Sequence, residues 1–253
     1  DFVIDDDNVS DVANVIRLVQ GFPLGIELAA AWLEMLPIDE IVSEIENSLD
    51  FLETDLRDVP ERHRSIRAVF EYSWNLMTPD EQDIFLKLAV FRGGFEREAA
   101  QKVTGASLRN LTTLVNKSLL LRMPSGRYQA HKLLRQYALE RWDDDDAKHE
   151  VSAKHAQYYG TFMEKVQELF NSPKEQTAVE SMEEEFDNIL TAWEFAVEHQ
   201  MWAELDQSLH TLMLFFQARS MLSDGIATFR DLADRMQKAQ LTDTVCYYRA
   251  RLR

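Results

Sequence analysis

Two short phrases in this 253-residue chain hold side chains where they could do chemistry. Gly21-Phe22-Pro23 turns the backbone and opens the apolar run Leu24 to Leu36, and His131-Lys132-Leu133-Leu134 sets an imidazole at the start of a second helix. Proline is at ease in a first helical turn, where its missing N–H leaves no bond unmade, so Pro23 has a structural reading whatever else it does. A histidine opening a helix has two readings, a cap for the helix or a sensor that donates to a phosphate.

A second set of residues points toward nucleic acid. Arg109, Asn110, Thr113, Asn116 and Lys117 share one helix face that could enter a major groove, while Arg122 and Arg127 could meet phosphates from the strands behind it. A third set lies toward the end of the chain. There Trp202, Phe216 and Arg219 could remain on an open helical surface and meet a partner, although the many aromatics between Tyr158 and Phe216 should mostly form core. Asp143 to Asp146 lacks the alternating ligands, turn glycine and distal glutamate of a calcium loop, and reads as a solvated linker. His149, His155, His199 and His210 have no spacing that puts two on adjacent turns, and Cys246 has no ligand neighbour, so no metal site is expected. The chain has no Gly-x-Ser-x-Gly elbow and no GxxxxGK[ST] phosphate loop, so it is not expected to be an enzyme by itself.

Composition bounds the rest. Apolar residues make up 45% and charged residues 28%, ordinary for a folded chain long enough for two or three modest cores. The formal net charge of −17 repels polyanions at long range and argues against a general nucleic-acid or acidic-membrane binder. One cysteine and no apolar run of membrane-spanning length fit a cytoplasmic setting with no membrane contact. A chain that opens Asp-Phe-Val-Ile and stops in Tyr-Tyr-Arg-Ala-Arg-Leu-Arg reads as a piece of a larger protein.

The elements that must position these residues are nearly all helical. Apolar spacing predicts helices over Val9–Leu18, Leu24–Leu36, the last apolar nearly all round and therefore buried, and Ile38–Leu49, with a linker over Glu53–Glu61. Ile66, Val69, Phe70 and Trp74 line one helix, and Thr78-Pro79-Asp80-Glu81 is a capping box launching the next. Short helices follow from Glu96 to Val103 and from Ser107 onward. Leu119 to Met123 and Arg127 to Ala130 then read as a hairpin across Pro124-Ser125-Gly126, closed by a helix over Lys132–Trp142. That outline is a winged helix. Beyond it come helices over Val151–Phe170, Lys174–His199 with a capping box at Ser172-Pro173-Lys174-Glu175, Trp202–Arg219 and Ser223–Met236. Asn188-Ile189 with Trp193 matches Gly225-Ile226 with Phe229 at an offset close to a tetratricopeptide period of roughly 34 to 40 residues.

Four phrases now stand in order: Gly21-Phe22-Pro23-Leu24; Arg62-His63-Arg64-Ser65-Ile66-Arg67 leading into Trp74; Leu88-Ala89-Val90-Phe91-Arg92-Gly93-Gly94-Phe95; and His131-Lys132-Leu133-Leu134-Arg135-Gln136-Tyr137-Ala138. Together they resemble the helical and winged-helix modules of STAND-class signalling ATPases, the NB-ARC and MalT-like or AfsR-like regulators, followed by tetratricopeptide-like sensor repeats. The resemblance implies that Pro23 is the proline of the GxP motif, beside the adenine, and that His131 is the histidine of the Met-His-Asp motif, reading the diphosphate. Ala130 stands where that motif has methionine, and Lys132 where it has aspartate.

The sequence thus predicts a mainly α chain: a helical, ARC-like domain over 1–58, a winged helix with a small β-hairpin over 59–142, and an incomplete tetratricopeptide-like antiparallel helical region over 147–253. Its implied role is the regulatory and sensor segment of a STAND protein. The segment itself would hold no cofactor, the parent would bind ADP or ATP with Mg, and the partners would be an upstream nucleotide-binding domain and an inducer or protein at the helical repeats. The alternatives are a winged-helix DNA-binding transcriptional regulator, using Arg109, Asn116, Lys117 and Arg127, and a constitutive helical scaffold.

Overall fold

A computed structural model describes residues 4–5, 8–19, 21, 23–47, 51–52, 65–170 and 172–239. In chain order the elements are α1 (Val9–Leu18), α2 (Pro23–Ala31), a 3-10 turn (Trp32–Glu34), α3 (Ile38–Asn47), α4 (Ile66–Asn75), α5 (Pro79–Leu88), β1 (Gly94–Phe95), α6 (Arg97–Thr104), α7 (Leu108–Asn116), β2 (Leu120–Arg122), β3 (Tyr128–Ala130), α8 (Lys132–Arg141), α9 (Asp145–Phe170), α10 (Glu175–Glu184), α11 (Phe186–Glu198), α12 (Trp202–Ala218) and α13 (Leu222–Lys238). The fold is mainly α with short strands, and α5–β1–α6–α7–β2–β3 follows the order of a winged helix. Two compact units emerge: residues 1–89 with 107–143, and residues 90–106 with 144–253. The expected boundary near residue 58 is thus internal to the first unit, and the segment holding β1 and α6 groups with the later helices. The linker read over Glu53–Glu61 lies outside the described residues.

In the first unit, α1 packs on α2 and α3 through Val15, Leu18, Ile41 and Ile45. Helix α2 starts at Pro23 as its sequence dictates, but ends at Ala31 and tightens into the 3-10 turn rather than running to Leu36. It is not buried all round. Gly25, Leu28 and Ala29 are covered, while Pro23, Ala30 and Ile26 are exposed, because an apolar sequence cannot say how many neighbours are at hand. Ser65 caps α4 through the Ala68 amide, and Thr78 and Glu81 form the predicted reciprocal cap of α5 with Pro79 behind it. The hairpin pairs Leu120 with Ala130, Leu121 with Gln129 and Arg122 with Tyr128, and Gly126 supplies the left-handed turn at φ 88°.

In the second unit, the 26-residue α9 is the spine against which α6, α10, α11 and α12 pack, with α13 on α12. The acidic run is solvated and spans the boundary between the two units, at Asp143 and Asp144, as expected of a linker, but its second half is already helix. Asp144 Oδ1 accepts from the Ala147 amide at 2.9 Å, and Asp145 and Asp146 form the first turn of α9, where carboxylates oppose the positive end of the helix dipole. The helix expected over Lys174–His199 breaks at Glu185, and the cap expected at Ser172 does not form as written: Ser172 Oγ accepts from the Lys174 amide instead of serving α10 as a capping box. The positions matched in the sequence differ in their surroundings. Trp193 and Phe229 are both buried, with ring centroids 6.2 Å apart, but Ile189 is fully buried whereas Ile226 is 48% exposed. Among the described residues no helix is long and apolar enough to cross a membrane.

Candidate functional site at the His131 junction

The first unit brings one of the two chemistry-bearing phrases back to the other. Helix α1 ends at Leu18, and Gly21 turns the chain at φ 71° with its amide on the Ile16 carbonyl. Close approach of α1 and α2 is required here. A Cβ on Gly25 would lie 2.9 Å from the Val19 Cβ and 3.2 Å from the Ile66 Cδ1, so only glycine fits.

Onto this turn comes His131. It is the N-cap of α8: its Nδ1 accepts from the Leu133 amide at 3.2 Å, while Nε2 lies 2.9 Å from the Val19 carbonyl oxygen. An amide can only donate, so Nδ1 carries the lone pair and Nε2 the proton, which it gives to Val19. The Nδ1 cap needs the neutral ring, whereas the Nε2–H bond to Val19 would survive protonation. Burial pushes the His131 pKa below the usual histidine range, opposed by the Val19 hydrogen bond, and burial prevails. The two readings of this histidine are therefore in tension: as found it is a cap and a clasp, and its only N–H is spent on a carbonyl. As the neutral ring it could donate to a phosphate only by releasing Val19; protonated, it could donate from Nδ1 by releasing Leu133.

Helix α8 is held in place behind His131. Tyr137 Oη donates to Glu71 Oε2 at 2.6 Å, Arg141 Nη1 reaches the same oxygen at 2.6 Å, and the Arg141 guanidinium lies 5.1 Å from the Trp74 ring centroid. Burial first, and then the bond to Glu71, raise the Tyr137 pKa well above the usual phenol range, so the hydroxyl stays a donor. Arg67 adds an ion pair with Glu140.

Pro23 starts α2 four positions after Val19 and is exposed. The residues proposed for DNA are divided. Arg109 and Asn116 are exposed, as is Arg122. Lys117 is committed elsewhere: its Nζ lies 2.6 Å from Glu81 Oε2 and 3.1 Å from the Leu76 carbonyl oxygen, and this ammonium, with the Thr78 amide, holds the Glu81 carboxyl below its usual range. Arg127 is 9% exposed, so it does not extend from the hairpin to a phosphate. The expected partner surface also changes. Phe216 is 3% exposed and packs edge-on to Phe186 and Phe229, while Trp202 is half-buried and Arg219 is exposed and paired with Glu183 at 2.7 Å.

Sequence spacing missed a polar core in the second unit. The buried Asn188 accepts from the Arg92 amide at 2.8 Å and donates to the Gly94 carbonyl at 2.9 Å and to Glu185 at 3.0 Å, and Glu185 also accepts from Tyr159 at 2.8 Å. The only local signal was Glu185 and Asn188 three positions apart on one helix face. Spacing also separated His149 from His199, whose rings the fold brings to 4.7 Å. Among the described residues no group of three or more histidine, cysteine or acidic side chains could hold a metal ion.

No family model matches the chain. It is 30% identical over 246 residues to proteins of Mycobacterium bovis and Mycobacterium tuberculosis named "Putative HTH-type transcriptional regulator", an alignment covering 92% of this chain. The chain spans only 27% of the length of those relatives. It is also 28% identical over 170 residues, 62% of the chain, to a Mycobacterium tuberculosis protein named "Uncharacterized protein", of which it spans 43%.

Proposed function

We propose that this chain is a regulatory segment of a longer cytoplasmic transcriptional regulator, relaying a state rather than carrying out a reaction. Similarity to the mycobacterial regulators supports the general role. The observation that carries the mechanism is the bond from His131 Nε2–H to the Val19 carbonyl, which ties the start of α8 to the turn before Pro23. One N–H cannot serve two acceptors. An anion that takes this proton must free Val19, and the clasp becomes a two-position switch whose balance a ligand shifts only by binding one position more tightly.

The order of the GxP-like and histidine phrases makes a STAND-type arrangement the preferred form of this switch. In it a phosphate-loop domain elsewhere in the parent binds ADP or ATP with Mg, and Pro23 and His131 face the nucleotide. An inducer or protein partner engages α9–α13, with Trp202 and Arg219 as its candidate contacts. Purifying the full-length parent with His131→Ala tests this: the variant should retain less nucleotide and alter promoter output, whereas wild-type nucleotide content and output would leave a constitutive scaffold.

The exposed Arg109 and Asn116 favour a second reading, in which α7 meets DNA directly. Buried Arg127, engaged Lys117 and the net charge of −17 weigh against it. A salt-dependent duplex shift weakened by Arg109→Ala would establish this reading.

A further inference from the structure

We infer that a cavity of about 280 Å³ in the first unit is a binding site for a small, uncharged, largely apolar molecule, and that its occupancy is felt at His131. Three elements wall it. Helix α4 supplies Val69 and Phe70, the β2 region supplies Leu119 and Leu121, and the start of α8 supplies Leu134 and His131. Ligand cavities run from roughly 300 Å³ upward, and a dry cavity of roughly 150 Å³ accepts benzene, so this one suits an occupant of about ten heavy atoms.

The polar groups at its margin define the ligand's chemistry. Ser73 Oγ donates to the Val69 carbonyl at 3.2 Å, Lys117 is held by Glu81 and the Leu76 carbonyl, and His131 is engaged with Val19 and Leu133. An ionised ligand would give up its water and find Ser73 and His131 already bonded, with only the exposed Ser118 and a third N–H of the partly exposed Lys117 at the margin, whereas an apolar one gives up little. Access is open. Leu121 lines the cavity while 51% exposed, and Ser118 beside it is exposed, so a molecule can enter without unfolding the unit and would cover part of a leucine now in water.

The imidazole is both a wall of this cavity and the clasp on Val19, so an occupant touches the ring whose position sets the junction. The regulatory meaning of the site rests on the function proposed above; its occupancy does not.

Toluene is the probe and benzoate its charged counterpart of similar size. Titrated into the full 253-residue chain, toluene should shift the His131 Cε1–H resonance saturably, the resonance being assigned by its loss in His131→Gln. Benzoate should bind at least tenfold more weakly. Leu121→Trp, at a position half in solvent and therefore compatible with folding, should weaken toluene at least tenfold while leaving the melting temperature within a few degrees of wild type. Val69→Phe fills the cavity from the opposite wall and should do the same. Toluene that leaves the His131 resonance unmoved, binds Leu121→Trp and Val69→Phe as well as wild type, or binds no better than benzoate overturns the inference. Failure of the nucleotide-retention experiment on the parent would leave a positive toluene result standing, so the two ideas fail separately.

Discussion

In the first unit an imidazole reaches 112 positions back along the chain to one backbone carbonyl; in the second, the amide of Asn188 reaches 96 and 94 positions back to two backbone groups and also holds a carboxylate. The two joints close comparable stretches of chain with opposite chemistry. An amide does not titrate near neutral pH, and a buried network bonded at every contact is stiff, because each partner left behind would be an unpaired polar group. A half-buried imidazole can gain a proton or exchange one acceptor for another. The first joint can therefore respond to its surroundings while the second keeps β1 and α6 fixed to the long helices.

The comparison can be broken in several places. The largest effect should come from Phe216→Ala, which empties a core position in the second unit and should lower stability by about 3–5 kcal/mol in chemical denaturation. A loss under about 1 kcal/mol would restore this ring to a partner surface. Asn188→Ala should follow at about 2–3 kcal/mol, since it removes the acceptor of the Arg92 amide and one donor each from the Gly94 carbonyl and the Glu185 carboxylate, which keeps Tyr159. Hydrogen exchange should then quicken in residues 90–106 before it does elsewhere in the unit.

His131→Ala should remove about 1–2 kcal/mol, the sum of a helix cap and one long-range hydrogen bond. Its pH dependence is sharper than its size. Burial lowers the folded-state pKa of His131 beneath its unfolded value, so the contribution is fully present above about pH 6.5 and is lost as pH falls through the folded pKa. Stability measured from pH 7.5 down to 5.5 should therefore fall more for wild type than for His131→Gln, and parallel curves would remove the imidazole from the account. The smallest effect is assigned to Lys117→Met. Its ion pair with Glu81 is partly exposed, and the substitution should change stability by less than about 1 kcal/mol.

Features fixed by neighbours in sequence were legible beforehand. Thr78-Pro79-Asp80-Glu81 caps α5, Gly126 turns the hairpin, and His131 opens α8, each through bonds spanning a few positions. What could not be read depended on distant chain. A helix as apolar as α2 does not state how many sides will be covered, and Phe216 could not be told from a surface ring until Phe186 and Phe229 were seen against it. Arg127 belongs to a hairpin read correctly, yet its burial has no signal in the residues next to it. The acceptor of His131 was the least visible of all, being a backbone oxygen with no side-chain signature.

That last feature leaves an asymmetric genetic target. Every amino acid at position 19 carries the same main-chain oxygen, so no substitution there deletes the acceptor, whereas almost any change at 131 deletes the donor. A screen for locked or released alleles should accordingly recover codon 131 repeatedly, and reach residue 19 only through changes in bulk against Gly25.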